Sequence, residues 1–508
     1  MEVYYKSIRA LGLYFSFFQT LLPEVYALND NLGHAEKIPR IAVIGGGIGG
    51  TSAAYFLHDL FGDNLLLDIY EPGPIGGRLA TVPIGEKYYE VGGAIIHPKN
   101  MYMVNFVKQL GLKKLGDCSG SLGIYDGNEY VFRDSSWSIV SLARLFYRYG
   151  WDVYRLNELT KNMLDNFARI YTLQDGGAAY RKVESMLEAM DPQFNEMRHY
   201  STKDWLTKLG FKHLMIDELV TAATRTNYGQ STALQAFCGS IAVAGASPDL
   251  WAVEGGNKRV PEELLISSRG SLLRRMVTHL TPGSDGGFTV TSVDEFEMKD
   301  HLFEEGHKED VAMEDNSSAR KQDYDIVIIA TPLTTDKRTF QLQNFTKDFQ
   351  FPGQYERILA TMVQGKIRPE SLKFTSQDPL DEILATNPKL IFNSIGRQHP
   401  VDGECLKDKD VWKVFSPKPL TEIQLNYFFE NINSSTVIDW LAYPHYESDQ
   451  SLGEFELQPG LYYVNAIEYA GSAMEMSAIS GKNAALLAYK FWMDDEEAGR
   501  KKLSKDEL

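Results

Sequence analysis

The run Ile41-Ala-Val-Ile-Gly45-Gly46-Gly47-Ile-Gly-Gly50, read with Asp68-Ile-Tyr-Glu71, constrains this chain more than any other segment. A β-branched apolar stretch feeds a glycine cluster, a helix-compatible segment follows from Thr51 to Phe61, and a second apolar run ends on an acid. Gly45, Gly47 and Gly50 keep the G-x-G-x-x-G spacing, and Glu71 lies 21 residues beyond Gly50. In a strand–turn–helix–strand unit the first glycine permits the tight turn, the second admits a pyrophosphate and the third lets helix and strand pack closely. The helix N-terminus offers free amides and a positive dipole end to phosphates. Glu71 suits the hydroxyls of an adenosine ribose and repels a 2′-phosphate. The pattern predicts an α/β chain with a dinucleotide site.

Further glycines extend this reading. Gly76-Gly77-Arg78 and Gly92-Gly93-Ala-Ile-Ile-His97 follow the second strand, which suits a cofactor larger than a nicotinamide alone. Arg78 can offer a forked cation to a pyrophosphate, and Gly92-Gly93 lets the chain pass close to a flat ring. Asp325-Ile-Val-Ile-Ile-Ala330-Thr-Pro332 reads as a buried strand, and Phe288 to Val293 alternates like one. Near the end, a strand Leu461 to Glu468 leads into Ala470-Gly-Ser-Ala-Met-Glu475-Met476 and a helix to about Trp492. That late helix can aim its amides at a flavin edge and stabilise charge on the reduced ring. Met101–Leu110, Ser138–Tyr149 and Asn157–Leu173 have helical periodicity, as does Leu264–Leu280, and 301–321 is a charged loop.

A chain of 508 residues with 44% hydrophobic content is long enough for two domains. Its net charge of −17 argues against nucleic acid and anionic membrane as partners. Cys118, Cys238 and Cys405 are too few and too scattered for a disulfide framework or metal centre. Lys6 and Arg9 precede an uncharged stretch to Pro23, and Val25-Tyr-Ala27 fits signal-peptide cleavage after Ala27. Lys505-Asp-Glu-Leu508 matches the tetrapeptide read by the endoplasmic-reticulum retrieval receptor. Asn316, Asn344 and Asn433 occupy glycosylation sequons. No segment after the signal reaches the length of a membrane span.

Together these elements resemble the FAD-dependent amine-oxidase-like flavoproteins, and more closely the prenylcysteine oxidase (prenylcysteine lyase) family, from Arg40 to Trp492. The more specific signatures are Asn227-Tyr-Gly-Gln230, Val253-Glu-Gly-Gly-Asn-Lys258 and Ala473-Met-Glu-Met-Ser-Ala-Ile-Ser-Gly-Lys-Asn483. The resemblance implies an α/β, FAD-binding Rossmann-like domain of the amine-oxidase type with an inserted α+β substrate domain. The chain then divides into a signal peptide 1–27, an FAD domain from 40–100, 255–345 and 455–495, a substrate domain from 101–254 and 346–454, and a charged tail 496–508. Expected cofactor contacts are Gly45, Gly47, Gly50, Glu71, Gly77 and Arg78 on the first half of that domain. Gly93, Val293, Ala330, Glu475 and Met476 complete them. His97, Lys258 and Glu475 are the candidate catalytic side chains, each with an ordinary structural alternative.

The implied reaction oxidises S-prenyl-cysteine with water and oxygen, releasing cysteine, a prenyl aldehyde and hydrogen peroxide. A thioether resists hydrolysis. Removing hydride from the carbon next to sulfur gives a cation spread over sulfur and the allylic double bond; water adds and the hemithioacetal collapses. An amine or polyamine oxidase, or a silent luminal flavoprotein, is the alternative. Family members are typically lysosomal, whereas the Lys-Asp-Glu-Leu tail points to the endoplasmic reticulum; both lie in the secretory-pathway lumen.

Overall fold

Strand β1 (Arg40–Ile44) leads through the glycine turn into helix α1 (Ile48–Phe61) and strand β2 (Leu66–Tyr70). β1 runs parallel to β2, with Val43 opposite Ile69, and on its other side parallel to β3 (Ile326–Ile329), with Val43 opposite Ile328. The six-stranded sheet has the order 456–458, 461–463, β3, β1, β2, 271–273; only its first pair is antiparallel. β3 is buried along its whole length, as expected of a parallel strand covered on both faces. This is the Rossmann-like, doubly wound arrangement. The computed structural model describes residues 37–116, 120–135, 137–246, 249–284, 286–294, 319–403 and 410–506. The expected signal segment 1–27, Cys118, Cys405, the sequon at Asn316 and the last two residues of the tail lie outside the described residues.

The second large sheet has seven strands. Its main members are β4 (Tyr355–Ile367), β5 (Glu382–Ala385), β6 (Ser394–Arg397), β7 (Val411–Ser416) and β8 (Phe429–Pro444). Their order is β8-β4-β7-β6-β5, and β5 continues into the hairpin 122–125 and 130–133. A third sheet of four strands joins 320–324, 288–294, 275–282 and 341–342. Between these lie α2 (Met101–Gln109), α3 (Asp152–Phe167) and α4 (Ala236–Ala244), and the chain closes on α5 (Met474–Asp506). Contacts hold the described residues from Pro39 onward in one compact unit. Among the described residues, no helix is long and apolar enough to cross a membrane.

The glycine turn is set by close approach rather than by flexibility. Gly45 has φ +115°, and a Cβ there would lie 2.7 Å from the Ala330 carbonyl oxygen. A Cβ on Gly50 would lie 2.0 Å from the Gly45 carbonyl oxygen. α5 crosses α1 in the same way: a Cβ on Gly481 would meet the Gly49 oxygen at 2.7 Å and the Ala53 nitrogen at 2.9 Å.

Two segments differ from their sequence patterns. Leu264–Leu280 is not one helix; the helix spans Arg259–Ser267, and strands Ser271–Leu273 and Arg275–Pro282 follow. Arg269 takes φ +54°, and Gly270 passes so near β2 that a Cβ would come 2.2 Å from Ile69 Cδ1. Sheet pairing then overrides the apolar periodicity. The expected strand Leu461–Glu468 stops at Tyr463, and Val464–Tyr469 is a buried 3₁₀ turn.

Gly50→Ala should destabilise the fold by about 3 kcal/mol or more, because backbone on both sides must move. Thermal melting and soluble yield measure this; a variant melting within two or three degrees of the parent contradicts the close-packing argument.

Candidate active site

A cavity of about 920 Å³ runs from the glycine turn to the seven-stranded sheet. Gly45, Gly47, Glu71, Gly77, Arg78 and Gly93 line it, as do Ala330, Glu475 and Met476. A second set of lining residues is apolar: Met163, Leu164 and Phe167 of α3 and Ile241, Ala242 and Ala244 of α4, with Leu250 from the loop beyond α4. A third belongs to the sheet and includes Glu382, Gly396, Gln398, Lys413, Phe415 and Trp440. Gly50 does not line the cavity; it makes the strand–helix contact. Val293 does not line it either, being buried in the four-stranded sheet opposite Met276.

The dinucleotide end is built for a ligand with phosphates. A Cβ on Gly47 would meet nothing nearer than Gly76 oxygen at 3.8 Å, so protein packing leaves this side of the turn open. The first turns of α1 and α5 both border the cavity here, through Ile48 and through Met474 to Ser477. Glu71 is pinned by the amides of Gly46 at 2.8 Å and Gly73 at 2.9 Å, which fixes its carboxylate at the end of β2. Thr331 Oγ1 and Asn465 Oδ1 line the same region, buried and without a hydrogen-bond partner among the described residues. Such orphaned groups fit a polar ligand that would complete them.

Arg78 lies at the centre of a charge network. Its guanidinium pairs with Glu468 and donates to the Ala442 carbonyl at 2.6 Å. Glu468 also accepts from Tyr355 Oη and Asn465 Nδ2, both at 2.8 Å. Burial alone would raise the Glu468 carboxyl, but Arg78, with Lys337 and the Tyr355 hydroxyl, holds it below the usual range. Lys337 also lines the cavity, with Nζ 4.3 Å from the Tyr355 ring centre and donating to the Leu441 carbonyl. Burial and the neighbouring Arg78 bring its pKa down to about 7, so its amine exchanges protons near neutrality.

The three candidate catalytic residues separate. His97 lines the cavity, and its Nδ1 accepts from the Lys99 amide at 3.0 Å, leaving Nε2 as the protonated nitrogen. Burial, with Lys99, lowers its pKa. Glu475 borders the cavity, but its carboxylate is spent on α2, accepting from the amides of Tyr102 at 2.7 Å and Met103 at 3.0 Å and from Tyr171 Oη at 2.8 Å. Lys258 does not line the cavity; its ammonium lies 5.9 Å from the Tyr88 ring centre. In its loop the working residue is Asn257, which bonds the Val253 amide and the Gly93 carbonyl and whose own amide is accepted by Glu90. That loop therefore props the second glycine pair.

Lys337, Glu382, Lys413 and Glu468 escaped the sequence reading because they sit outside any spaced motif. Lys413 had one visible sign, a charge inside the apolar run Val411-Trp-Lys-Val-Phe415. Of the segment Asn227–Gln230, Asn227 and Tyr228 line the cavity; Tyr228 packs between Tyr443 and Tyr446, and Gln230 ties Pro444 to Tyr446.

A family model described as prenylcysteine lyase matches residues 132–500, and one for an NAD(P)-binding Rossmann-like domain matches 43–110. The chain belongs to the prenylcysteine lyase family. "Prenylcysteine oxidase 1" of Bos taurus is 37% identical over 463 residues, covering 89% of each chain. The Homo sapiens protein of that name is 37% identical over 466 residues, with 89% of each covered. "Prenylcysteine oxidase 1-like" of Homo sapiens is 34% identical, covering 90% of this chain and 91% of its own. Among solved structures, a putrescine oxidase double mutant superposes with TM-score 0.57 at 14% identity, covering 88% of this chain and 98% of its own. Cyclohexylamine oxidase from Brevibacterium oxydans gives TM-score 0.54 at 15% identity, with 89% and 99% covered. These two establish the amine-oxidase-type fold alone.

Glu475 makes stability depend on pH. Burial raises its carboxyl to about 7, against 4.5 when unfolded. Between those values the folded state holds the extra proton, so stability falls as pH rises from about 4.5 to about 7. Glu475→Gln keeps the shape and removes this dependence. From pH 5 to pH 7.5 the parent should lose on the order of 2 kcal/mol more than the variant, measured by denaturant unfolding at both values.

Proposed function

We propose that this chain is an FAD-dependent oxidase that cleaves S-prenyl-L-cysteine to cysteine, a prenyl aldehyde and hydrogen peroxide, consuming water and oxygen. The observation that carries the reading is the junction, within one cavity, of a dinucleotide turn with an apolar chamber lined by Met163, Leu164, Phe167, Ile241 and Leu250. Membership of the prenylcysteine lyase family supports the same substrate class.

The residues present fit an adenine-bearing flavin. Gly47, Gly77 and the first turns of α1 and α5 would take its pyrophosphate, and Glu71 its ribose. Thr331 Oγ1 and Asn465 Oδ1 supply unpaired polar atoms beside them. When bound, the flavin supplies a two-electron acceptor that oxygen restores. The chain's own tasks are to orient the prenyl carbon next to sulfur, to exclude bulk water and to manage protons. The apolar chamber performs the first two: at about 0.8 kcal/mol per buried methylene, a farnesyl tail offers on the order of 10 kcal/mol before ordering costs. Lys337 Nζ, poised near 7, can take the proton that water loses on adding to the oxidised carbon. His97 Nε2 is a second cavity donor.

A location in the secretory-pathway lumen belongs to the same proposal. It rests on the signal pattern ending at Ala27 and on the sequons, of which Asn344 and Asn433 are exposed.

The test is anaerobic titration of the purified protein with S-farnesyl-L-cysteine. The flavin absorbance near 450 nm should bleach stoichiometrically and return with air, with peroxide released. Bleaching by putrescine or a monoamine but not by the thioether would select an amine oxidase instead. Gly47→Val should leave the fold intact and lower flavin occupancy at least tenfold, read by bound absorbance after desalting.

A further inference from the structure

The sheet face that lines the cavity carries an aligned row of three residues on neighbouring strands. Glu382 on β5 is opposite Gly396 on β6, and Gly396 is opposite Lys413 on β7. All three line the cavity. Because neighbouring strands lie about 4.8 Å apart, the backbones bearing the carboxylate and the ammonium are separated by roughly 10 Å. The glycine between them supplies no side chain, so the row is a slot with one charge at each side.

Neither charge is satisfied in the ordinary way. Glu382 is exposed into the cavity, and among the described residues its carboxylate has no hydrogen bond or ion pair. Its pKa is raised because surrounding protein removes water, and Lys413 only partly offsets this. Lys413 is buried, with Nζ 5.0 Å from the Phe415 ring centre and 3.4 Å from the Glu90 carbonyl oxygen. Burial lowers its pKa, and the facing carboxylates Glu90 and Glu382 oppose that. Glu90 faces it from the 87–90 strand, where Asn257 already engages one carboxylate oxygen. Isolated charges next to an apolar chamber are costly unless a partner arrives.

We infer that Glu382, Gly396 and Lys413 form the subsite for the zwitterionic amino-acid head of the thioether substrate, Glu382 taking the α-ammonium and Lys413 the α-carboxylate. With one charge-assisted hydrogen bond of about 2.8 Å at each end, an α-amino acid spans this gap. A head with only one charge would leave the other side chain uncompensated, so Glu382 and Lys413 are the residues that set discrimination against blocked heads. This inference rests on the proposed thioether oxidation and names its head-group determinant.

The experiment compares anaerobic flavin reduction by S-farnesyl-L-cysteine, its methyl ester and its N-acetyl derivative. In the parent protein each blocked compound should show a 10- to 100-fold lower kcat/KM than the free amino acid. Glu382→Gln should lose a similar factor on the free amino acid and almost nothing further on the N-acetyl compound. Lys413→Met should lose it on the free amino acid and not on the methyl ester. Gly396→Val guards against misfolding of the charge variants. An added Cβ at position 396 lies 3.4 Å from Gln398 Nε2 and 3.9 Å from Glu382 Cγ, so the strand accepts a side chain while the slot fills. It should retain flavin and melting temperature and discriminate poorly among the three compounds. Equal reduction by all three in the parent, or equal losses on all three in both charge variants, would overturn the subsite and leave the oxidase reading standing. No reduction by any of them would overturn both.

Discussion

The fold depends on backbone passing against backbone at the start of α1. Gly50 lies where any Cβ would enter the Gly45 carbonyl, and Gly45 itself borders the Ala330 carbonyl at the end of β3. Two strands and a helix are thereby drawn together at one point, and the Gly49–Gly481 crossing adds α5 to it. Two helix N-termini then border the same cavity, although their residues are separated by more than 400 positions in the chain. Glycine's conformational cost in the unfolded chain is offset by the close packing it permits. The cofactor end of the cavity is a by-product of that packing: where the helices meet the sheet edge, their first turns border the open space.

Much of this was legible in the sequence because it is local. The G-x-G-x-x-G spacing, the acid ending β2 and the apolar run of β3 are short-range patterns, and each lies where the pattern indicated. Residues whose meaning depends on distant partners were not legible. Lys258 belonged to a family-specific loop, yet its neighbour Asn257 ties that loop to Glu90 and Gly93, and the lysine turns toward Tyr88. Glu475 stands at the first turn of α5, where a carboxylate suits the helix dipole. Its actual partners are the amides of α2, 373 and 372 residues earlier in the chain. Nothing in a one-dimensional reading brings those together. The segment 264–280 failed for the complementary reason, since its spacing suits a helix but β2 offers Leu272 and Leu273 a strand partner.

The charges inside the cavity divide into two kinds. Arg78 and Glu468 are paired, and Tyr355 and Asn465 complete the carboxylate, which leaves Asn465 Oδ1 as the unpaired atom of the group. Removing one member would strand another, which makes the network a scaffold more than a reagent. Lys337 is bound into its edge, and burial together with the adjoining Arg78 keeps its amine easily deprotonated. A proton acceptor of this kind suits chemistry in which an external acceptor takes hydride and water must lose a proton afterwards.

Glu382 and Lys413 are the other kind. They share one sheet row with a glycine between them, and the row faces a cavity whose helical wall is apolar. A chamber meant only for a hydrocarbon tail would be more stable without them, because a buried charge such as Lys413 opposes folding unless something compensates it. Sheet alternation would as readily place leucine or valine there, as it places Met362 opposite Lys413 on the adjacent β4. Keeping two opposite charges near apolar walls makes sense when the ligand is amphipathic along its length, with hydrocarbon at one end and a zwitterion at the other. The helical wall and the sheet row then read the two halves of one molecule, and the bond to be cleaved lies between them.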